Sequence, residues 1–470
     1  MARLINNPSA YLKKHLTRRS RVLLVNPPVQ ERRYHWIRWN QPLDLLRLST
    51  WLKASHPGIE VKLFDFMLPN EAGQVPKHKV KETWTGAADD DQLWHFGASF
   101  DVFERAFTSL SQGGWKPDFV IVSSLTSYWH VSIEKLLIKL CSRLDRVRRD
   151  ATAICLAGNY PRIEPGHASS QLDADVAFTS SVNTSGCRPD FHLYLESAGE
   201  LPNFFALDIE DAAVSDHLAY CLELTDDRQR RRGIPKPASF TVAFFNDDVC
   251  SEASKIAEVI DFAEAHPGRL IVEGLAGIEP SSLTTARLHQ LKAAGFRSLF
   301  VEHARLPGGG VDEGKYQSLL SFLSDEAHRK KIGDSKSAWL ERGNVTGFVA
   351  MGLPDDDIDE LLRSTLTINH FFQAVILKPF GYSPTIEQIS EAKRQKRWRE
   401  PCQSSPQWFP YVDNGSSLSD PDYENLVRWQ NVLNKRVKGA TFDFLDDGVV
   451  ARLVRETVVA ESWKRHREAR

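Results

Sequence analysis

At 470 residues, with 42% hydrophobic and 26% charged side chains, the chain can bury more than one core, which excludes a single small module and points to roughly two or three domains. The formal net charge of −2 hides a basic N-terminal arm (Lys13, Lys14, His15, Arg18, Arg19, Arg21) and a basic tail (Lys464, Arg465, Arg467, Arg470), runs that are ordinarily solvated helix faces and not nucleic-acid sites. No apolar segment reaches the ~20 residues of a membrane span and the N-terminus lacks the apolar core of a secretory signal, so a soluble, cytoplasmic chain with no membrane or nucleic-acid partner is expected.

The first strand signal is Arg21-Val22-Leu23-Leu24-Val25-Asn26, a short apolar run stopped by Pro27-Pro28, as in a strand buried on both faces of a parallel sheet. A helix is expected from Leu43 to Ala54, a strand over Glu60–Asp65, then a long polar insertion, and a strand over Asp118–Ser124. A helix from Ser132 to Leu144 leads to a strand over Ala151–Leu156, with a fourth strand at Asp175–Phe178. Strand, helix and strand in this rhythm imply right-handed crossovers and a Rossmann-like, doubly wound parallel sheet. Ligands of such sheets bind outside the carboxyl ends of the strands. The loops that matter are then Asn26-Pro27-Pro28-Val29, Ser123-Ser124-Leu125-Thr126-Ser127, Gly158-Asn159-Tyr160-Pro161 and Thr179-Ser180-Ser181. Their hydroxyls can donate to a phosphate or amide tail, and Gly158 permits close backbone approach.

The segments VNPP, QPLDLLRLSTWLK, PDFVIVSSLTSYWHVSIEKLLIKL and LAGNYPRIEPGHA, spread over most of residues 21–185, resemble the cobalamin-binding domain of class B radical S-adenosylmethionine proteins. The resemblance implies a corinoid lying against the strand ends with its nucleotide tail extended into the sheet, contacted by Ser123, Ser124, Thr126, Gly158, Asn159 and Tyr160. Asn159 replaces the family's usual second glycine, and the D-x-H-x-x-G motif that brings an axial histidine in other cobalamin enzymes is absent from the sequence. His130 and His167 are near these loops, where a lone histidine is ordinarily a hydrogen-bonded surface or core residue.

From Ser239 a βα pattern resumes: strands at Phe240–Phe245, Leu270–Glu273, Ser298–Glu302, Gly347–Met351 and Ala374–Leu377, with helices at Glu252–Ala265, Leu283–Ala294 and Lys315–Ala327. Repeated units of this kind favour a partial TIM-type (β/α) barrel whose chemistry lies at the carboxyl strand ends, here Asn246-Asp247-Asp248, Glu273, Glu302-His303, Gly352-Leu353-Pro354-Asp355 and Lys378-Pro379-Phe380-Gly381. These segments also resemble successive units of the radical S-adenosylmethionine barrel. The resemblance implies that Glu302 approaches a ribose, that Val349 to Gly352 flank an adenine, and that Asp247 and Asp248 stand where the family often has paired aspartates. Helix capping by Asp248 and strand termination by Gly352-Leu353-Pro354 are the plain alternatives.

The family's CxxxCxxC motif, which holds a [4Fe–4S] cluster, is missing. The six cysteines (Cys141, Cys155, Cys187, Cys221, Cys250, Cys402) are scattered, which fits a reducing compartment. The region compared with the cluster loop is Leu218–Asp227, followed by a basic loop at Arg228–Arg232, and only Cys221 remains in it. No metal ligand set and no [4Fe–4S] cluster are expected.

The expected organisation is an arm over 1–20, a cobalamin-binding sheet domain over 21–195, a barrel-like domain over 196–400 and a C-terminal helical segment over 401–470, with helices near Tyr423–Lys438 and Val449–Arg467. Two uses of this scaffold follow. In one, cobalamin-dependent methyl transfer runs by a polar route, S-adenosylmethionine is a candidate donor, and Glu302, Asp247 or His303 positions an unknown small-molecule or peptide acceptor. In the other, the chain is a non-catalytic partner subunit that binds cobalamin or a sister enzyme. A nucleotide- or small-molecule-binding module without cobalamin is a third reading, since fold alone does not settle function.

Overall fold

The computed structural model describes residues 1–32, 41–69, 75–80, 93–124, 130–144, 151–163, 165–199, 201–210, 214–234, 238–244, 249–250, 252–306, 310–331, 345–351, 356–372 and 374–379, with Leu426 and Leu433. The C-terminal segment expected over 401–470 otherwise lies outside the described residues. Two compact units divide the chain, one built on Met1–Pro202 and the other on Asn203–Tyr382. Both are α/β with parallel sheets.

In the first unit, β1 (Arg3–Ile5) and α1 (Pro8–His15) precede β2 (Arg21–Asn26) and β3 (Val29–Arg32), followed by α2 (Leu43–Ser55) and β4 (Glu60–Asp65). Next come β5 (Lys77–Lys79), β6 (Leu93–Phe96), α3 (Phe100–Gln112), β7 (Phe119–Ser124) and α4 (His130–Arg143). The unit closes with β8 (Ala153–Gly158), α5 (Asn159–Ile163), α6 (Pro165–Gln171), β9 (Val176–Phe178) and α7 (His192–Ala198). The main sheet is parallel, in the order β1-β9-β8-β7-β2-β4. Both faces of β2 are sealed: Leu23 and Val25 pack in a core with Phe103, Val120 and Leu136, and the alternate Val22 and Leu24 are equally buried. That explains why β2 reads as an unbroken apolar run.

The basic stretch expected as an arm is part of this unit. Arg3–Ile5 pairs with Val176–Phe178, and the Asn7 carboxamide oxygen accepts the Ala10 N–H at 2.9 Å to cap α1. Lys13, Lys14, Arg18 and Arg19 stay on the surface. The polar insertion supplies β5 and β6, which join β3 in a second, antiparallel sheet in the order β3-β6-β5, whose buried contacts are Val29, Met67 and Phe96. So few apolar residues are too sparse a pattern to betray strands in advance.

In the second unit, β10 (Phe204–Leu207), α8 (Val214–Arg232), β11 (Phe240–Phe244), α9 (Ala253–Ala265), β12 (Leu270–Ile278) and α10 (Thr285–Ala293) are followed by five more elements. These are β13 (Phe296–Val301), α11 (Gln317–Lys331), β14 (Val345–Met351), α12 (Ile358–Phe372) and β15 (Val375–Pro379). The six strands are parallel and lie in chain order, the singly wound arrangement of an open barrel. Its first βα unit, β10 and α8, starts well before Ser239. Arg228–Arg232 are the last turns of α8 and not a basic loop: Asp227 pairs with Arg231 at 2.8 Å and with Arg230 at 3.6 Å, and a cationic C-terminus suits the helix dipole.

Candidate functional site

Without the edge strand β1, the first sheet runs β4-β2-β7-β8-β9, so the chain leaves β2 towards β4 on one side and resumes at β7 on the other. This is the flavodoxin-like order, with its topological switch point between β2 and β7. Asn26 ends β2, and Ser123 and Ser124 end β7, where the register continues from Val25 paired with Val122. Gly158 ends β8 opposite Ser124. Three of the loops expected to matter therefore begin at neighbouring strand ends around the switch point.

Most of their polar groups are already engaged. The Asn26 amide donates to the Asp65 carboxylate at 2.7 Å, the Met67 N–H donates to the same oxygen at 2.9 Å, and the Tyr194 hydroxyl donates to the other at 3.0 Å. Burial, followed by the neighbouring Asp65 charge, pushes the Tyr194 phenol well above its ordinary pKa. Pro27 is buried beside this network. Gly158 has φ +88°, and a Cβ there would collide with the Ser124 backbone, so glycine is required by strand packing. Asn159 is exposed. Tyr160, expected to contact a cofactor, is instead fully buried in the apolar core with Ala168 and Leu172, because α5 starts directly at Asn159 and turns its second side chain inward. Thr126 lies outside the described residues.

Ser123 is fully buried, and its hydroxyl donates to the Asp44 carboxylate at 2.5 Å. At Asp44, in the first turn of α2, desolvation raises the pKa despite the hydrogen bonds from Ser123 and the Leu45 N–H. On the small sheet, the fully buried His95 donates through Nε2 to the Ala98 carbonyl at 2.8 Å, while Gln30 donates to its Nδ1 at 3.3 Å. Burial above all drives its pKa down to about 4, so the ring is neutral at pH 7.

In the second unit the concave face follows from register. Ala243 pairs with Glu273 and Glu273 with Ser298, and Ala243, Phe300 and Phe348 form one buried cluster with Phe204 and Ile376. Paired residues of a parallel sheet share a face, so Glu273 and Ser298 belong to this side with Phe300. Glu302 joins them: a Cβ on Gly277 would collide with the Glu302 side chain, and the Glu302 N–H donates to Ile278 at 2.9 Å. The Tyr316 hydroxyl pins this strand end by donating to the Glu302 carbonyl at 2.8 Å and accepting from the Ala304 N–H at 2.9 Å. Glu273, expected at a strand end, lies midway along β12, which continues through a bulge to Ile278.

His303 has both ring nitrogens buried with no hydrogen-bond partner among the described residues. Burial, aided by the Arg305 charge, lowers its pKa to about 4. Arg305 in turn is held by Asp356 at 3.0 Å and Glu360 at 3.8 Å. Val349 shares a face with Gly347, where a Cβ would meet Ile368 and Phe372 of α12; its side chain is therefore packed against helices and cannot flank a ligand on the concave face. Asp247, Asp248 and Gly352 lie outside the described residues. Cys221 is fully buried inside α8, and among the described residues no three His, Cys, Asp or Glu side chains converge to hold a metal ion. Among these groups, Asp44, Asp65 and Gly277 escaped sequence reasoning. The aspartates resemble an ordinary helix-capping and a strand-ending residue, and only the bulge in β12 brings Gly277 to Glu302.

No protein-family model matches the chain, and no curated protein matches it. Among solved structures it is similar to the radical S-adenosylmethionine methyltransferase TsrM from Kitasatospora setae with cobalamin and a [4Fe–4S] cluster bound, at 12% identity and a TM-score of 0.46, covering 91% of this chain and 90% of that one. TsrM with tryptophan substrate and the analogue aza-SAM gives 12% identity and a TM-score of 0.45, over 81% of this chain and 77% of that one. The cobalamin-dependent S-adenosylmethionine radical enzyme OxsB with aqua-cobalamin bound gives 12% and 0.41, over 81% and 56%. At this level the likeness assigns no function; that rests on the side chains.

Proposed function

We propose that the chain binds cobalamin at the switch point of its first unit and serves methyl transfer by a polar route, its second unit working without a conventional [4Fe–4S] cluster. The observation that carries the reading is the convergence of Asn26-Pro27-Pro28-Val29, Ser123-Ser124 and Gly158-Asn159-Tyr160-Pro161 at the ends of β2, β7 and β8, where such sheets take ligands. The residues fit a large, amide-bearing cofactor: Ser123 and Asp44 form a hydrogen-bonded pair at the end of β7, and Asn159 presents an exposed carboxamide at the end of β8. Ser124 and Gly158 fix the rim by packing against each other. When bound, cobalamin supplies a cobalt centre able to accept and donate a methyl group.

The cluster-free part is supported by the sequence, in which no two cysteines lie within a few positions of each other, and by the burial of Cys221 inside a continuous helix. Acceptor positioning falls to Glu302 on the concave face of the second unit, with Glu273 as a second carboxylate on that face. S-adenosylmethionine is the proposed methyl donor. Protein prepared with hydroxocobalamin should show a corrinoid visible spectrum and no stoichiometric iron. Once an added low-potential reductant has brought the bound corrinoid from Co(III) to Co(I), the protein should also move isotopic label from the methyl group of S-adenosylmethionine to cobalt, releasing S-adenosylhomocysteine. Several equivalents of iron overturn the cluster-free proposal, absence of a bound corrinoid overturns the cofactor, and bound corrinoid without label transfer overturns the methyl route.

A further inference from the structure

A neutral imidazole offers one N–H and one bare nitrogen, whereas a protonated one offers two N–H groups. The partners of a buried ring therefore decide which state the fold accommodates. His95 is fully buried in the small sheet and stands in one cross-strand row with Gln30 of β3 and His78 of β5. The Ala98 carbonyl can only accept, so Nε2, at 2.8 Å from it, carries the proton, and Nδ1 takes an N–H of the Gln30 carboxamide at 3.3 Å.

The other end of that carboxamide is idle. Gln30 Oε1 is buried and has no hydrogen-bond partner among the described residues. Half a turn of the amide breaks no bond of Oε1 and exchanges the donor facing Nδ1 for an acceptor. A glutamine can thus match both states of the ring, which a pure donor or a pure acceptor cannot. On the same row, β5 supplies the His78 ring, stacked on His95 with centroids 4.5 Å apart; Lys77 and Lys79 alternate to the opposite face, Lys79 over the Trp94 ring. From the helices, α3 sets Phe100 edge-on at 5.1 Å and α4 brings Lys135. Burial first, and less strongly His78 and Lys135, oppose a charge on the ring, while the bond to Ala98 favours one.

We infer that Gln30 and His95 form a proton-responsive latch: when the ring takes a proton, the Gln30 carboxamide turns over and its Oε1 accepts from Nδ1–H, so that β3 stays tied to β6. The proton comes from solvent, and the N–H···N bond is exchanged for a stronger N–H···O bond from a cation. β3 runs directly on from Asn26-Pro27-Pro28, so the latch holds the far end of that loop as pH falls. It is independent of the cofactor reading.

NMR of the full chain with 15N-labelled histidine, His95→Phe supplying the assignment, follows the ring through its titration. At pH 7 wild type should show the Nε2–H tautomer, with both nitrogens protonated in acid. Gln30→Met fills the same space and offers neither group. It should lower the midpoint by about 0.5–1, because the lost bond is worth more to the charged ring than to the neutral one. Gln30→Glu, an acceptor only, should raise the midpoint by about 1 or more. A midpoint that stays or rises in Gln30→Met overturns the latch, since the carboxamide then serves the neutral ring at least as well; so does a midpoint that stays or falls in Gln30→Glu. Should either variant fail to fold, wild type decides alone: the Gln30 side-chain amide resonances should shift with the His95 titration, and resonances that ignore it overturn the latch.

Discussion

At the carboxyl ends of the first sheet, Asp65 collects hydrogen bonds from Asn26, Met67 and Tyr194; on the second sheet, both ring nitrogens of His303 and the Ser298 hydroxyl are buried with no partner among the described residues. A saturated network holds its geometry whatever binds nearby. Unpartnered buried groups carry a desolvation cost that only a bound molecule, solvent or rearrangement can offset. The strand ends of the first unit are therefore held in place by a network complete in itself. In the second unit, the His303 ring and the Ser298 hydroxyl are left without such support among the described residues.

The largest effect should come from breaking the saturated network. Asp65→Ala strands three donors at once and should destabilise the first unit by about 3–5 kcal/mol, read as an earlier urea transition of that unit. A cost under about 1 kcal/mol would show that the network is not what sets this end of the sheet.

Acid should act next, through the orphaned imidazole. Unfolded histidine titrates near 6.5 and folded His303 at about 4, so as pH falls from 6.5 towards 4 the unfolded chain binds the proton first. The stability His303 contributes is complete above pH 6.5 and is lost across that window, by up to about 3 kcal/mol. His95 shares the direction and the value of about 4, so the measurement is the difference in acid sensitivity between wild type and His303→Leu. Equal acid profiles would remove His303 from the contrast.

Smaller effects probe the concave face. Gly277→Ala should displace Glu302 and cost about 1–3 kcal/mol, part of which Glu302→Ala in the same chain should restore, giving a coupling of about 1 kcal/mol in a double-mutant cycle. Additive effects would mean that Glu302 does not sit against Gly277. Smallest of all, His303→Leu at pH 7.5 should stay within about 1 kcal/mol of wild type, because replacing unpartnered polar atoms by apolar ones is close to neutral. The gap between a large cost for Asp65→Ala and a near-neutral His303→Leu is the sharpest form of the comparison.

Much of the architecture was legible before any coordinates. Glu60–Asp65 is a strand over the expected residues, and the strands read at Arg21, Asp118, Phe240, Ser298 and Gly347 all exist, because strands sealed on both faces are written as continuous apolar runs. Elements with weak patterns were not legible: β10 is four residues long, β5 is Lys77-His78-Lys79, and α8 ends in a run of arginines that reads as a loop until Asp227 is seen pairing along the helix.

For the candidate site the division is sharper. Local sequence determined which loops leave the strand ends and that no closely spaced cysteines exist, since both depend only on residue type and order. Tertiary structure decided everything that depends on facing. It turned Tyr160 and Val349 into core, placed Glu273 mid-strand and Glu302 against Gly277, and joined Ser123 to Asp44, a partner 79 positions away. Which side of a strand a residue takes, and what stands opposite, is set by register and bulges between segments far apart in the chain, and no local pattern encodes them.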